Sequence, residues 1–176
     1  MEGSQPPNTQ IRPFLSVVIP AFREGAHLSA ILAAVRSALG QCGLPYELVL
    51  VDDGSPDDTW RVITAEAGTS QAMRALRLRR NFGKEAALCA GLEHTRGDAV
   101  IVMDADGQYP PSLIPEMVRT WQRSGADIVE AVKRSRGRES LPSKVGAQLC
   151  YFVLNKLSGF HFKGAIGFQT LEPQSR

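Results

Sequence analysis

The stretch AVIVMDADGQYPP, residues 99–111, decides the fold predicted for this chain. Its first five residues are apolar and predict a buried strand, which the glycine and the prolines that follow bring to an end. Side chains two positions apart on an extended chain point the same way, so Asp104 and Asp106 face one point beyond the carboxyl end of that strand. Ligands bind at such strand ends in open α/β sheets, and hard oxygen ligands there suit Mg²⁺ or Mn²⁺ carrying a diphosphate.

Strand and helix patterns alternate along the chain around this stretch. Apolar runs predict five strands, at residues 14–19, 46–51, 73–78, 98–103 and 126–132, and the first strand is expected to close at Pro20. Helical spacing of apolar residues predicts helices at residues 24–39, 60–67, 83–95 and 112–124. Short connections between such elements indicate a mainly parallel sheet with helices on both faces.

Composition limits the class of protein. The chain has 176 residues, of which 43% are hydrophobic and 22% charged, as in an ordinary globular domain. Its net charge of +2 is too small to indicate nucleic-acid binding. Three widely spaced cysteines form no C-x-x-C pair, which favours thiols in a reducing, cytoplasmic compartment. No apolar run approaches the roughly 20 residues that a membrane-spanning helix needs.

The domain organisation has three expected parts. Residues 1–13 are polar and proline-rich and predict a disordered lead-in, and residues 14–158 form the expected α/β domain. Residues 159–176 are a tail without a clear period. Near the end of the domain, residues 141–157 have the pattern of an amphipathic helix with an aromatic patch. We expect this helix to make peripheral contact with the cytoplasmic face of a membrane.

Acidic residues follow two of the predicted strands. Asp52 and Asp53 come after the second strand, and Asp104 and Asp106 come after the fourth. The carboxyl ends of parallel strands share one edge of the sheet, where four carboxylates repel one another unless a cation compensates. Turn formation and helix capping would explain the first pair alone. All four together favour a binding site.

Two familiar phosphate-binding patterns are missing from the sequence. No G-x-G-x-x-G follows the first strand, and no G-x-x-x-x-G-K-[ST] occurs, so a Rossmann dehydrogenase or a P-loop enzyme is not expected. Basic side chains that could hold phosphate come instead from residues 80–84, which include Lys84, and from Lys133 and Arg134 after the fifth strand.

Four motifs together resemble the family 2 glycosyltransferases, which have the GT-A fold, a Rossmann-like α/β architecture. They are VVIPAFRE at residues 17–24, ELVLVDDGS at 47–55, RNFGKEAA at 80–87 and MDADGQYPP at 103–111. The last two narrow the resemblance to the branch that transfers sugars to dolichyl or undecaprenyl phosphate. One departure is Arg23, where the family usually has asparagine.

The resemblance implies that residues 14–158 are a nucleotide-sugar-binding domain, and it also implies roles for individual residues. The base and ribose of a nucleotide sugar would contact five positions, namely Pro20, Phe22, Glu24, Val51 and Asp53. The diphosphate would lie along Asp104, Ala105 and Asp106. The ligands of Mg²⁺ or Mn²⁺ would be Asp106 and Gln108, next to Asp104. The family also places a phosphate-contacting arginine where this chain has Lys133 or Arg134.

The expected reaction is transfer of a sugar from a UDP- or GDP-sugar to a polyprenyl phosphate, with inversion at the anomeric carbon. A phosphate monoester with a second pKa of about 6 is already anionic at neutral pH, so the reaction needs no dedicated general base. Positioning and charge neutralisation, with Asp104 and Asp106 at the diphosphate, would then supply the catalysis.

Two alternatives stay open at this point. After Gly159 the family continues into a G-x-F-R-L segment with a further acid, which this chain lacks, so the acceptor half is expected to be largely missing. The chain could therefore be an inactive, truncated nucleotide-sugar-binding remnant.

Residues 104–107, DADG, also resemble the loop of haloacid-dehalogenase-type phosphatases, in which Asp104 would be the nucleophile. Those enzymes carry the loop after their first strand, whereas three predicted strands precede it here.

Overall fold

The computed structural model of the chain describes residues 13–132 and the backbone of residues 164–169. Four strands lie in the first hundred or so residues, β1 Leu15–Ala21, β2 Tyr46–Asp52, β3 Met73–Arg77 and β4 Ala99–Val102. Two more follow, β5 Ile128–Val132 and β6 Gly164–Gln169. The helices are α1 Leu28–Cys42, α2 Thr59–Gly68, α3 Lys84–Leu92 and α4 Ile114–Ser124, the last preceded by a 3₁₀ turn at Pro111–Leu113.

The six strands form one sheet in the order β3-β2-β1-β4-β6-β5, and every neighbouring pair is parallel. The predicted α/β alternation is confirmed. The sequence did not indicate β6, which inserts between β4 and β5 from the segment interpreted as a tail without a period. The expectations for residues 1–12, for Lys133 and Arg134, and for the helix at 141–157 lie outside the described residues.

Two apolar clusters pack on opposite faces of the sheet. The larger contains Leu15, Val17 and Ile19 of β1 with buried side chains of α1, α2 and α4. The smaller contains Val18 of β1 and Val51 of β2 with buried residues of α3. Successive side chains of each strand point to opposite faces and so belong to different clusters. Both faces are buried, which is why the strands are almost continuously apolar. None of the helices in residues 13–132 is long and apolar enough to cross a membrane.

The sequence predicted that the first strand would close at Pro20, and this prediction is wrong. Pro20 lies inside β1 and is in register with Val51 of β2. The pairing of β1 with β4 ends at Val18, so Pro20, which has no N–H to donate, lies beyond the last paired residue on that side. The helix predicted from residue 24 begins later, at Leu28, and turn residues lie between it and Arg23, which has a left-handed φ of 61°.

A buried carboxylate joins several segments at the opposite edge of the sheet, where the strands begin. Glu47 is 1% exposed, and its Oε1 accepts hydrogen bonds from Ser16 Oγ at 2.8 Å and from the backbone N–H of Arg96 at 2.7 Å. The Arg96 guanidinium lies 2.9 Å from Glu47 Oε2. A buried carboxylate held in this way ties β1 and β2 to the loop that leads into β4.

Candidate active site

An open cleft of about 510 Å³ lies at the carboxyl ends of β1, β2 and β4, beside the first turn of α3. The residues that line it are Pro20, Ala21, Phe22, Glu24, Asp53, Asn81, Gly83, Lys84, Glu85, Ala87, Asp104, Ala105, Asp106 and Gln108. These come from four separate segments of the chain. The parallel topology brings them to one edge, as the sequence predicted.

Most of the predicted site residues meet in this cleft. Nine of them line it, namely Pro20, Phe22, Glu24, Asp53, Lys84, Asp104, Ala105, Asp106 and Gln108. Asn81, Gly83 and Glu85 line it too, although no role was predicted for them from the sequence. Their position follows from the helix start at Lys84, since the first turn of α3 faces the same edge as the strand ends.

Val51 was predicted to contact the base and ribose of a nucleotide sugar, but its side chain does not line the cleft. The side chain is fully buried in the cluster against α3, together with Val49. Alternation on β2 explains the difference, because Val49 and Val51 share one face of the sheet. Asp52, the first acid of the pair after β2, is also absent from the lining. It is fully buried, and its Oδ1 accepts the N–H of Ser55 at 3.0 Å.

Asp53 lines the cleft, but its carboxylate is engaged by the chain itself. Its Oδ1 accepts the backbone N–H of Phe82 at 2.8 Å, and its Oδ2 accepts that of Gly83 at 2.9 Å. Next to it, Gly54 has a φ of 67°, and a Cβ built there would lie 2.4 Å from the carbonyl carbon of Arg80. The turn after β2 and the loop before α3 are therefore locked together, which fixes the start of α3.

The loop after β1 is held against the turn after β2. Ser55 Oγ accepts the backbone N–H of Arg23 at 3.0 Å, and Thr59 Oγ1 accepts that of Glu24 at 2.8 Å. Arg23 adopts its left-handed φ of 61° in this loop. Asparagine tolerates that region better than arginine, which gives a physical reason for the family's usual residue at this position.

Glu24 is a cleft residue whose carboxyl group has a shifted pKa. Its pKa is raised above the usual value of 4.5, first by burial and then by the negative charge of Asp106. The nearby His27 acts in the opposite direction and lowers it. Glu24 and Asp106 both line the cleft, so their negative charges repel each other across it.

The two aspartates after β4 have different partners. Asp104 Oδ2 lies 2.7 Å from Lys84 Nζ, and the Asp104 side chain is 12% exposed. Asp106 is exposed, and its Oδ1 accepts the backbone N–H of Gln108 at 2.9 Å across Gly107, which has a φ of 71°. This tight turn brings the side chains of Asp106 and Gln108 to the same cleft.

The oxygen atoms of Asp104, Asp106 and Gln108 fit a hard divalent cation that would take its other ligands from a nucleotide. Two aspartates and a glutamine amide supply oxygen ligands of the kind that Mg²⁺ and Mn²⁺ prefer. Within residues 13–132 and 164–169 no three His, Cys, Asp or Glu side chains converge as a complete metal cage. Magnesium in nucleotide enzymes commonly uses one or two carboxylates and takes its other ligands from phosphates and water.

Comparison with known proteins gives the family. The model of glycosyl transferase family 2 matches residues 16–169. The undecaprenyl-phosphate 4-deoxy-4-formamido-L-arabinose transferase of Aeromonas hydrophila is 39% identical over 155 residues, which are 88% of this chain and 47% of that protein. The bactoprenol glucosyl transferase of Shigella phage SfX is 38% identical over 144 residues, 82% of this chain and 47% of that protein. The chain thus spans about half the length of the curated relatives it matches.

A solved structure shares the fold. Glucosyl-3-phosphoglycerate synthase from Mycobacterium tuberculosis, in complex with Mn²⁺, UDP and glucosyl-3-phosphoglycerate, is 26% identical with a TM-score of 0.54. The match covers 68% of this chain and 44% of that one. The parallel sheet, the acidic cleft at its carboxyl edge and the family match agree with one another. The chain belongs to glycosyl transferase family 2 and has the GT-A fold.

Proposed function

We propose that this chain binds a UDP- or GDP-sugar with Mg²⁺ or Mn²⁺ and transfers the sugar to a polyprenyl phosphate at the cytoplasmic face of a membrane. The charge of the cleft carries the proposal. Among the described lining residues five are acidic and one is basic, the acids being Glu24, Asp53, Glu85, Asp104 and Asp106. A nucleoside diphosphate is itself an anion, so it enters such a cleft favourably only with a cation that neutralises both partners.

The polyprenyl acceptor is supported by the relatives. Two curated proteins that match more than four fifths of the chain are named for undecaprenyl phosphate and bactoprenol. The family match favours glycosyl transfer over the phosphatase alternative, in which Asp104 would be a nucleophile. In the described structure Asp104 is paired with Lys84 in a cleft that also holds Asp106 and Gln108.

Pro20, Phe22 and Glu24 would contact the base and ribose, while Asp53 would act mainly by holding the loop before α3 in place. Asp106 and Gln108, beside Asp104, would hold the metal, which when bound neutralises charge on the departing diphosphate. Ala105 would lie along that diphosphate, and Lys133 or Arg134 after β5 would contact a phosphate group.

The acceptor needs no proton removed. Its phosphate is largely dianionic at pH 7, so an oxygen can attack the anomeric carbon as the bond from that carbon to the diphosphate breaks. Attack from the face opposite the leaving group gives inversion. The chain's contribution is to hold donor and acceptor in line and to exclude water from the reacting carbon.

Thermal unfolding with nucleotides tests donor binding, because a ligand that binds only the folded state raises the melting temperature. UDP- and GDP-sugars should raise it in the presence of Mn²⁺, and much less in EDTA. Asp106→Ala should abolish the metal-dependent part. Asp127→Ala, which removes an exposed carboxylate that does not line the cleft, is the control and should behave as the unchanged chain.

Transfer is measured separately, with a short polyprenyl phosphate as acceptor and NMR of the product's anomeric centre. The inverted configuration is expected. Retention would contradict the single displacement. Donor binding without any transfer would favour the nucleotide-binding remnant, and equal nucleotide binding by Asp106→Ala would remove the metal assignment.

A further inference from the structure

Lys84 forms the one ion pair that crosses the cleft among the residues that the structure describes there. It is the first residue of α3, and its Nζ lies 2.7 Å from Asp104 Oδ2 after β4. The Lys84 side chain is 54% exposed, so water surrounds much of it, while the Asp104 side chain is only 12% exposed. A flexible lysine stem therefore reaches over the cleft to a carboxylate proposed to lie at the diphosphate.

We propose that Lys84 is an internal counter-ion for the metal site. It neutralises Asp104 in the free chain, and when a divalent cation binds beside Asp104 it is released to the diphosphate. This inference rests on the proposed function and adds to it a positioning residue with two alternating anionic partners.

Charge competition is the physical reason for the exchange. An ammonium group and a divalent cation that share one aspartate repel each other, so each weakens the hold of the other. The Lys84 ammonium is a compact charge on four methylene groups and can turn to another anion nearby. Once the diphosphate is in the cleft, it offers the nearest new negative charge.

The backbone around Lys84 is fixed, which confines the exchange to its side chain. Asp53 accepts the N–H groups of Phe82 and Gly83, the two residues that precede Lys84. Gly54 packs so closely on Arg80 that the loop has no room to shift toward the turn after β2. The start of α3 therefore stays in place while the lysine side chain changes partner.

The proposal predicts effects of opposite sign when the charge is removed. In Lys84→Gln the metal no longer competes with an ammonium group, so Mn²⁺ should bind the nucleotide-free chain about two- to fivefold more tightly, the range of an exposed ion pair. UDP and GDP at saturating Mn²⁺ should bind about tenfold more weakly, because a charged hydrogen bond to the diphosphate is lost. A merely structural role would weaken both.

Mn²⁺ binding to the full chain is followed by electron paramagnetic resonance, and UDP and GDP binding at saturating Mn²⁺ by calorimetry. Lys84→Arg keeps the charge and should bring both affinities back toward those of the unchanged chain. Arg123→Gln, which removes an exposed positive charge on α4, is the matched control and should change neither affinity.

The outcomes separate this inference from the function beneath it. Tighter Mn²⁺ binding with weaker nucleotide binding in Lys84→Gln supports the exchange. Unchanged or weaker Mn²⁺ binding in that variant overturns it while the proposed function stands. If the unchanged chain binds no Mn²⁺ with or without UDP and GDP, both are overturned.

Discussion

Glu24 shows how a single residue of the cleft is held at a cost in stability. Burial and the charge of Asp106 raise its pKa, and none of its described hydrogen bonds is made by its carboxylate. The folded chain therefore carries an ionised group that the unfolded chain solvates better. Sites arranged for ligands often retain such unfavourable groups, because the ligand removes the cost when it binds.

Glu24→Gln should stabilise the chain at pH 7, and the gain should disappear in acid. The folded pKa lies above the ordinary value of 4.5, so the ionised side chain destabilises the folded state at every pH above that raised pKa. As the pH falls toward and below 4.5, both states bind the proton and the two chains become equal. Urea unfolding at pH 7 and pH 4 measures this. Equal stability at pH 7 would contradict it.

At the scale of elements, the site depends on two connections that interlock. The turn after β2 supplies the Asp53 carboxylate, and the loop before α3 supplies the two N–H groups that it accepts. Gly54 permits the contact because it has no side chain. This arrangement sets where α3 begins and hence where Lys84 lies.

Gly54→Ala should destabilise the chain by about 2–4 kcal/mol, since the new methyl group meets the Arg80 backbone and the residue keeps a positive φ. Gly43→Ala is the matched control. Gly43 has a nearly equal φ of 64° at the end of α1, but nothing lies within 4 Å of its added Cβ, so a cost of only about 1–2 kcal/mol is expected. Urea unfolding of both variants gives the comparison, and equal losses would show that the close approach has no cost.

The positions of the strands and helices could be predicted from the sequence, but most contacts between them could not. Period and composition were enough to predict five strands, four helices and the carboxylates at the strand ends, because each signal is local. The partner of the Asp53 carboxylate lies 29 and 30 residues further along the chain, where no spacing rule reaches. Pro20 was misjudged for a similar reason, since its place inside β1 depends on where β4 stops pairing.

Across the whole molecule, the sheet is completed by a strand from late in the chain. β6 lies between β4 and β5 and pairs in parallel with both. Its segment is short and rich in glycine, so it has no strand signal of its own, and only the gap between β4 and β5 gives it a place. Non-local pairing of this kind cannot be inferred from local pattern.

Ile166→Pro should destabilise the whole sheet by about 3 kcal/mol or more, because every backbone N–H in the middle of β6 faces a partner strand on one side or the other. Ile166→Val keeps the N–H and a β-branched side chain, so it is the control and should cost much less than the proline variant. Cooperative unfolding in urea tests this. If Ile166→Pro lost no more unfolding free energy than Ile166→Val, β6 would contribute little to the stability of the sheet.

The double hydrogen bond to Asp53 has a consequence for the speed of ligand entry. Because the loop backbone is already in place, the only rearrangement proposed at the cleft is rotation about the bonds of an exposed lysine side chain. Such rotations take picoseconds to nanoseconds, far less time than the microseconds to milliseconds in which loops and domains close. Within residues 13–132, entry of a nucleotide into the cleft is therefore expected to wait for the rotation of one side chain and not for movement of the loop before α3.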